Sequence, residues 1–272
     1  MITAAEPAYP HHPGQLDGKT VLVTGAGRGL GEAIAVACAA AGARVIGTVR
    51  SDTAAQDVGE RVRADGGSFE SRLLDLRSTA AVNALAADMA AEFGGLDVLV
   101  NNSGIAGPTQ DAASLSDEDW DEVIDVNLTG VFRCCRAFLP QMIERGSGSI
   151  ITIGSISART GLLNRSPYTA SKAAISGLTR TLALEGGPHG VRVNMISPGG
   201  VDGVRIQEVI AGQATATGRS AEQVRAELTS RSALRRFVAP GEVAGAVVFL
   251  GSDAASGMTG ADLLVTAGYG LD

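Results

Sequence analysis

Seven short apolar runs punctuate this chain, and most are followed by a segment whose apolar residues recur at helical spacing. TVLVTG, near residue 20, is followed by a helical stretch from Leu30 to Ala41, which Gly42 is placed to end. RVIGTV (44–49) precedes a helix over 54–64, and FESRLLDL leads into a third strand ending near Asp75, ahead of a helix from Thr79 to Phe93. LDVLVNNSG (96–104) precedes a long helix from about Asp117 to Arg145. SIITIGS (149–155) precedes a helix running to about Glu185, with Ser166 and Pro167 suited to its N-cap and first turn. GVRVNMIS (190–197) makes a sixth strand, and a helix from Pro240 through Glu242 to Leu250 precedes ADLLVT (261–266), the seventh. Short continuous apolar strands are buried on both faces, and their alternation with helices makes the connections crossovers. The pattern therefore predicts an α/β fold: one doubly wound, seven-stranded parallel sheet with helices on both faces.

Two segments stand outside the alternation. Residues 1–14 hold three prolines, two adjacent histidines and no periodicity, which predicts a disordered N-terminal extension in which His11 and His12 are tail residues rather than ligands. The region 200–236 is polar and helical without a strand. It carries too few apolar residues for a core of its own, so it reads as a substrate lid inserted in a single domain spanning 15–272.

Composition narrows the partners. With 45% hydrophobic and 19% charged residues, most of the chain must fold. No apolar run reaches the ~18 residues that a spanning helix needs, so no membrane partner is expected. A net charge of -7 offers no field for a nucleic-acid backbone, and any phosphate has to be met locally. Cys38, Cys134 and Cys135 have neither the even spacing of a disulfide framework nor metal-ligand spacing, so reduced thiols and no metal are expected. No charged start followed by an apolar stretch precedes the first strand, and a cytoplasmic location follows as an expectation.

The chemistry begins at the first strand-to-helix junction, Thr24-Gly25-Ala26-Gly27-Arg28-Gly29-Leu30-Gly31. Glycines there let backbone N–H groups and a positive helix end approach a pyrophosphate. The spacing is TGxxxGxG rather than the general GxGxxG.

That spacing resembles the short-chain dehydrogenase/reductase family, and later motifs agree in order: Asn101-Asn102-Ser103-Gly104 resembles its NNAG turn, Asn127 falls in its place, Ser155, Tyr168 and Lys172 reproduce its Ser and YxxxK set, and Pro198-Gly199 matches its PG turn. The resemblance covers about residues 15–272 and implies a Rossmann-type fold binding NAD(P). The chain looks most like the 3-oxoacyl carrier-protein reductase branch. By resemblance the cofactor contacts are Thr24, Gly25, Gly27, Arg28, Gly29, Leu30, Gly31, Thr48, Arg50, Asp75, Leu76, Asn102, Gly104, Tyr168, Lys172, Pro198, Gly199 and Val201, with Asp75 at the adenine amine or, in competition, acting as a cap.

Cofactor choice turns on the ribose 2′ position. An acid ending the second strand would accept the 2′-OH of NAD; this strand instead ends Thr48-Val49-Arg50-Ser51. Arg50, joined by Arg28 of the glycine turn, suits a dianionic 2′-phosphate, so NADP is expected, with NAD the alternative.

Tyr168 and Lys172, four apart at the start of a helix, share one face. A phenol of pKa ~10 is a poor proton donor at neutral pH, and a neighbouring ammonium stabilises its phenolate. The resemblance implies that Tyr168 acts as the acid/base, Ser155 donates to the substrate oxygen, and Asn127 anchors a water in the proton relay. The expected activity is reduction of a small-molecule ketone to a secondary alcohol. The same residues also serve oxidation of a secondary alcohol or cyclic diol, and a non-catalytic dinucleotide sensor is the reading from another class.

Two family features are altered. The hydroxyl residue usual after the PG turn is missing from Gly200-Val201-Asp202-Gly203-Val204-Arg205, and the usual Asp-Gly-Gly near the C-terminus is Thr266-Ala267-Gly268. The lid arginines 205, 219, 225, 231, 235 and 236 alternate with glutamates and read first as a solvated helix pair with ion pairs, capture of an anionic substrate being the competing reading. Apolar faces on the helices at 117–145 and 167–185 imply, by resemblance, a homotetramer, with a dimer as second choice.

Overall fold

The computed structural model describes residues 14–50, 52–64 and 66–270, so all of the expected N-terminal extension except Gly14 lies outside the described residues. The fold is already engaged at Leu16, which is fully buried and whose N–H donates to Ala41 O (2.9 Å). Among the described residues seven strands form one sheet: β1 (Thr20–Val23), β2 (Arg44–Val49), β3 (Ser68–Leu73), β4 (Val98–Asn101), β5 (Gly148–Ile153), β6 (Val191–Pro198) and β7 (Asp262–Val265). Their order is β3-β2-β1-β4-β5-β6-β7 and every neighbouring pair is parallel. The chain winds outward from β1 in one direction and from β4 in the other. The crevice above the carboxyl ends of β1 and β4 is therefore the switch point at which open α/β sheets bind ligands.

Successive strand residues face opposite sides. Val21 and Val23 join a core with Ile34 of α1 (Gly29–Ala40) and Val243 and Val247 of α10 (Pro240–Gly251). Leu22 and Leu99 join the opposite core with Val82 and Leu85 of α3 (Thr79–Phe93) and with Val131 and Phe138 of α5 (Gly130–Arg145). Helix α2 (Asp52–Ala64) links β2 to β3.

The expected third strand stops at Leu73, two residues short of Asp75, because Asp75 turns its carboxylate onto the Arg77 N–H (2.9 Å) and opens a turn instead of extending the ladder. The long helix expected from Asp117 is α4 (Asp117–Ile124) and α5, joined by a π-helical turn over Asp125–Thr129. After the short α6 (Ser157–Thr160) comes α7 (Ser166–Gly186), whose N-cap is Arg165 and not the expected Ser166. Thr169 N–H donates to Arg165 O (2.9 Å), so the first helical hydrogen bond starts one residue earlier than a serine cap requires.

The expected lid is α8 (Val204–Thr217) and α9 (Ala221–Ser230). It carries only a satellite cluster of Ile210, Val224 and Phe237, and a bridge between Val201 and Val238 closes its base. Ala267, where the family has glycine, takes a left-handed φ of +52°, a strain that the following Gly268 (φ +79°) avoids.

Candidate active site

The glycine turn is held from two sides. Thr24 is buried, and its Oγ1 accepts from Asn102 N–H and Ser103 N–H (both 3.0 Å). Asn102 Nδ2 donates to Thr24 O (2.9 Å) and Gly25 O (3.2 Å). From β2, Thr48 Oγ1 accepts from Gly25 N–H (3.2 Å) and Thr48 O from Ala26 N–H (2.9 Å). Thr24, Thr48 and Asn102 thus act here as struts that lock the loop at the switch point.

The glycines are sterically required. A Cβ on Gly31 would sit 2.1 Å from Gly25 O, and one on Gly25 2.7 Å from Ser103 Oγ, while Gly25 also has φ +69°. Gly29 (φ +58°) has nothing within 4 Å of its Cβ position, so the loop is open on that side. Helix α1 begins beside this opening without a side-chain cap at Arg28, whereas serines cap α3, α4 and α9. Uncapped N–H groups at a positive helix end beside open space fit a dinucleotide pyrophosphate. Leu30 is half-buried, and Gly27 lies in the same turn.

Arg28 and Arg50 are both exposed, and neither forms an ion pair among the described residues. Asp75 is bidentate to Arg77, with Nε 3.0 Å from Oδ1 and Nη2 2.8 Å from Oδ2. The Arg77 hydrogen bonds hold its carboxyl down to about 2. Leu76 is buried under Gly130, and its carbonyl accepts from Arg133 (3.2 Å). On the far side of the crevice Gly199 N–H donates to Val265 O (2.9 Å), Pro198 O accepts from Ile156 N–H (3.0 Å), and half-buried Val201 leads into the lid.

Of the four expected catalytic residues, Asn127 is joined to the Tyr168 backbone through Ser171, while Lys172 and Ser155 are each held by separate neighbours. Asn127 is fully buried on the π-helical turn, where the widened helix places a side chain that regular winding would rotate away. Its Oδ1 accepts from Ile105 N–H (2.8 Å), and its Nδ2 donates to Ile105 O (2.9 Å) and Ser171 Oγ (3.2 Å). Ser171 Oγ in turn donates to Tyr168 O (2.7 Å). Lys172 is buried, its Nζ 2.7 Å from Ile153 O at the end of β5 and 5.9 Å from the centroid of the Tyr168 ring. Burial, with a smaller contribution from the charge of Arg205, pulls the Lys172 ammonium down to about 8. Gly104 lets this happen at close quarters, since its Cβ would stand 3.1 Å from Asn127 Oδ1 and 3.7 Å from Lys172 Nζ.

Ser155 is half-buried just past β5, and its Oγ accepts from Ser157 Oγ (2.9 Å) and Ser157 N–H (3.2 Å). Both contacts use Ser155 Oγ as the acceptor, which leaves its hydroxyl proton free to donate. The buried Ser157 thus supports Ser155. Sequence reasoning missed two supports, Ser157 as a donor and Ser171 as a link. Ser171 had a readable signal, because a residue three after Tyr168 shares its helix face.

Among the described residues no group of three or more His, Cys, Asp or Glu side chains could hold a metal, and no described helix is long and apolar enough to cross a membrane. The three cysteines are free and buried, with burial pushing the Cys38 and Cys135 thiols up to about 12.

Comparison with known proteins agrees with this geometry. A family model described as enoyl-(acyl carrier protein) reductase matches residues 25–270. The chain is 38% identical over 255 residues to D-threitol dehydrogenase of Mycolicibacterium smegmatis, covering 94% of each. It is 36% identical over 254 residues to 3-oxoacyl-(acyl-carrier-protein) reductase of Escherichia coli, covering 93% of this chain and 97% of that one. A solved structure of a putative NAD(P)-dependent gluconate 5-dehydrogenase from Beutenbergia cavernae, with bound NADP, superposes with a TM-score of 0.86 at 38% identity, over 94% of this chain and 98% of that one.

Proposed function

The chain belongs to the short-chain dehydrogenase/reductase family and is an NAD(P)-dependent oxidoreductase acting on CH–OH or C=O groups, and from that premise we propose that it reduces a ketone to a secondary alcohol with NADPH, Tyr168 serving as the acid/base. The observation that carries this reading is the Lys172 ammonium buried beside the Tyr168 ring and tethered to Ile153 O at 2.7 Å. A cation held there stabilises negative charge on the phenol oxygen during proton transfer.

The nicotinamide, when bound, supplies the hydride. Ser155, oriented by Ser157, donates to the carbonyl oxygen and polarises it, and Tyr168 delivers the proton to that oxygen. Lys172 both supports the phenolate and is placed to hold the nicotinamide ribose. Asn127 has both ends of its amide engaged, so we assign it to positioning Tyr168 through Ser171; the expected relay water would be anchored through its main chain. The Gly25 to Gly31 turn takes the pyrophosphate, Asp75 remains ionised to accept from the adenine amine, and Gly104, Pro198, Gly199 and Val201 wall the nicotinamide end.

NADP is preferred in this reading because Arg28 and Arg50 are exposed and unpaired among the described residues at the end of a strand that carries no acid. Replacing Arg50 by Ala is expected to raise the KM for NADPH by about tenfold and to leave that for NADH within about twofold, since a charge-assisted contact to phosphate contributes about 1.5–3 kcal/mol. A carbonyl panel run with NADPH and NADH in parallel measures this and reads direction and substrate class together. Equal use of both cofactors by the unaltered enzyme rejects the NADP assignment. A second reading, oxidation of a polyol, is favoured by the identity to D-threitol dehydrogenase, and the same panel run with alcohols and NADP+ decides between them.

The assembly is proposed to be a homotetramer. Phe132 on α5 and Leu184 on α7 are 41% and 79% exposed, and between these helices runs an apolar groove of about 470 Å³ lined by Leu139, Pro140, Ile143 and Leu182. Large exposed apolar patches of this kind mark interfaces. Light scattering at micromolar concentration is expected to give four subunits, or two as the lesser case; a stable monomer rejects the proposal. The three free buried thiols support a cytoplasmic location.

A further inference from the structure

The chain leaving β4 passes from the glycine turn to the start of α7 and is tied down at successive residues. Asn102 N–H and Ser103 N–H lock the turn through Thr24 Oγ1, and Asn127 grips Ile105 at both its N–H (2.8 Å) and its carbonyl (2.9 Å). The carbonyls of Ala106 and Gly107 then accept from Nη1 of Arg165, at 3.1 and 2.8 Å. Gln110 N–H completes the run by donating to Asn164 O (3.0 Å). Asn164 and Arg165 lead directly into α7, four and three positions before Tyr168.

Two left-handed residues make these ties possible. The 106 and 107 carbonyls lie on consecutive peptide planes, which an extended chain would point in opposite directions. Gly107, at φ +66°, turns both toward one guanidinium, and a Cβ there would stand 2.6 Å from Val123 Cγ2 on α4. Asn164 holds φ +60°, a conformation rare outside glycine, at the point where its carbonyl meets Gln110. Arg165 is half-buried, burial lowers its proton affinity, and it makes no ion pair among the described residues, so the two carbonyls replace water that its charge has lost. The first turn of α7 has little else to hold it. Its N-cap bears no side-chain cap, and the buried Ser166 Oγ and Thr169 Oγ1 have no hydrogen-bond partner among the described residues.

We propose that Arg165 is a positioning residue for Tyr168: by fastening the first turn of α7 to the 105–110 segment, it holds the phenol in register with Ser155 and the nicotinamide end of the crevice. It touches no reacting atom in this role. Its partner is the Asn127 arm, which runs from Ile105 through Ser171 to Tyr168 O (2.7 Å), so two arms join one segment to one helical turn. A misplacement of about 1 Å in a reacting group costs on the order of a hundredfold in rate, which is why a contact remote from the chemistry matters here. This inference deepens the reductase reading and rests on it for the role of Tyr168, whereas the brace is a property of the fold.

Amide hydrogen exchange on the full chain, without cofactor, reads the brace directly. In Arg165→Met the amides of Ile105, Gln110 and Thr169 are expected to exchange at least about tenfold faster, with those of the glycine turn, 25–31, within about twofold of the unaltered protein. Arg165→Lys, whose ammonium still donates to a carbonyl, is expected to recover most of that protection. A kinetic arm follows reduction by NADPH of ethyl acetoacetate, or of the ketone that the panel turns over fastest. Arg165→Met is expected to lower kcat about tenfold or more, to leave the NADPH Kd within about twofold, and to raise the solvent deuterium isotope effect on kcat as proton delivery becomes slow. Arg165→Lys is expected to keep kcat within about threefold. If Arg165→Met does not fold, Arg165→Gln takes its place with the same expectations. Unchanged exchange at Thr169, or kcat within about twofold of the unaltered enzyme, overturns the proposal. So does a fall in Tm and NADPH affinity alongside kcat with the isotope effect unmoved, which marks a merely structural group. With no ketone reduced at all, the reductase reading alone fails, and exchange at Thr169 still upholds or overturns the brace.

Discussion

Tyr168→Phe is expected to lower kcat by roughly a thousandfold or more while NADPH still binds with a Kd within about twofold of the unaltered protein. The substitution removes one hydroxyl and nothing else that the fold uses. Ser171 holds Tyr168 through its backbone carbonyl at 2.7 Å, and the ring that Lys172 faces at 5.9 Å is retained. What disappears is the group proposed to give a proton to the substrate oxygen. Ser155 cannot substitute, because its role is to donate a hydrogen bond from a hydroxyl of ordinary acidity. Stopped-flow absorbance at the NADPH band separates the outcomes, with cofactor binding read by fluorescence in the same samples. Retention of more than about a tenth of the turnover would sink the proton-transfer assignment.

Lys172→Met carries the second large effect and splits activity from stability. Activity is expected to fall by roughly a hundredfold or more, because the phenolate loses its cation. Stability should move the other way at neutral pH. The Lys172 ammonium titrates at about 8 in the fold against an ordinary 10.5. The unfolded chain therefore binds more protons than the folded one between those values, and stability gains as pH rises through that window. Below pH 8 the lysine is charged in both states, so the full burial cost of roughly 3 kcal/mol is present, at ~1.4 kcal/mol per pH unit. Losing the hydrogen bond to Ile153 O returns about 1 kcal/mol of that. A net stabilisation of up to about 2 kcal/mol is expected at pH 7, shrinking as pH approaches 10.5, and urea unfolding at pH 7 and pH 10 measures it. A variant less stable at pH 7 by more than about 1 kcal/mol would show that Lys172 is mainly a structural group.

Much of the fold was legible because it is written in local periodicity. The runs at 20, 44, 98, 148, 191 and 262 each emerge as a strand, and the helix from Thr79 to Phe93 matches its expected bounds. Misreadings arose where a single polar contact outweighed pattern. Asp75 closed onto Arg77 and ended the third strand early, and the Arg165 carbonyl took the first helical bond of α7 in place of a Ser166 cap. The π-helical turn at Asn127 was not legible, because DVNLT carries no residue that favours it over ordinary helix, and it is Asn127's bonds to Ile105 and Ser171 that accompany the wider turn.

The sequence by itself determined the alternation that makes a parallel sheet and the glycine spacing of the first strand-to-helix turn, whereas the clash of a Gly25 Cβ with Ser103 Oγ comes from the tertiary structure. The sequence also placed Tyr168 and Lys172 on one helix face, since four residues is about one turn. Only the tertiary structure decided that Lys172 is buried against Ile153, that Ser157 supplies Ser155's acceptor contact, and that Arg205 is left unpaired among the described residues while Arg225 and Arg236 are neutralised. Periodicity fixes direction along one element. Burial and ion pairing depend on which groups meet across space, as when Arg225 reaches Asp202 from the second lid helix.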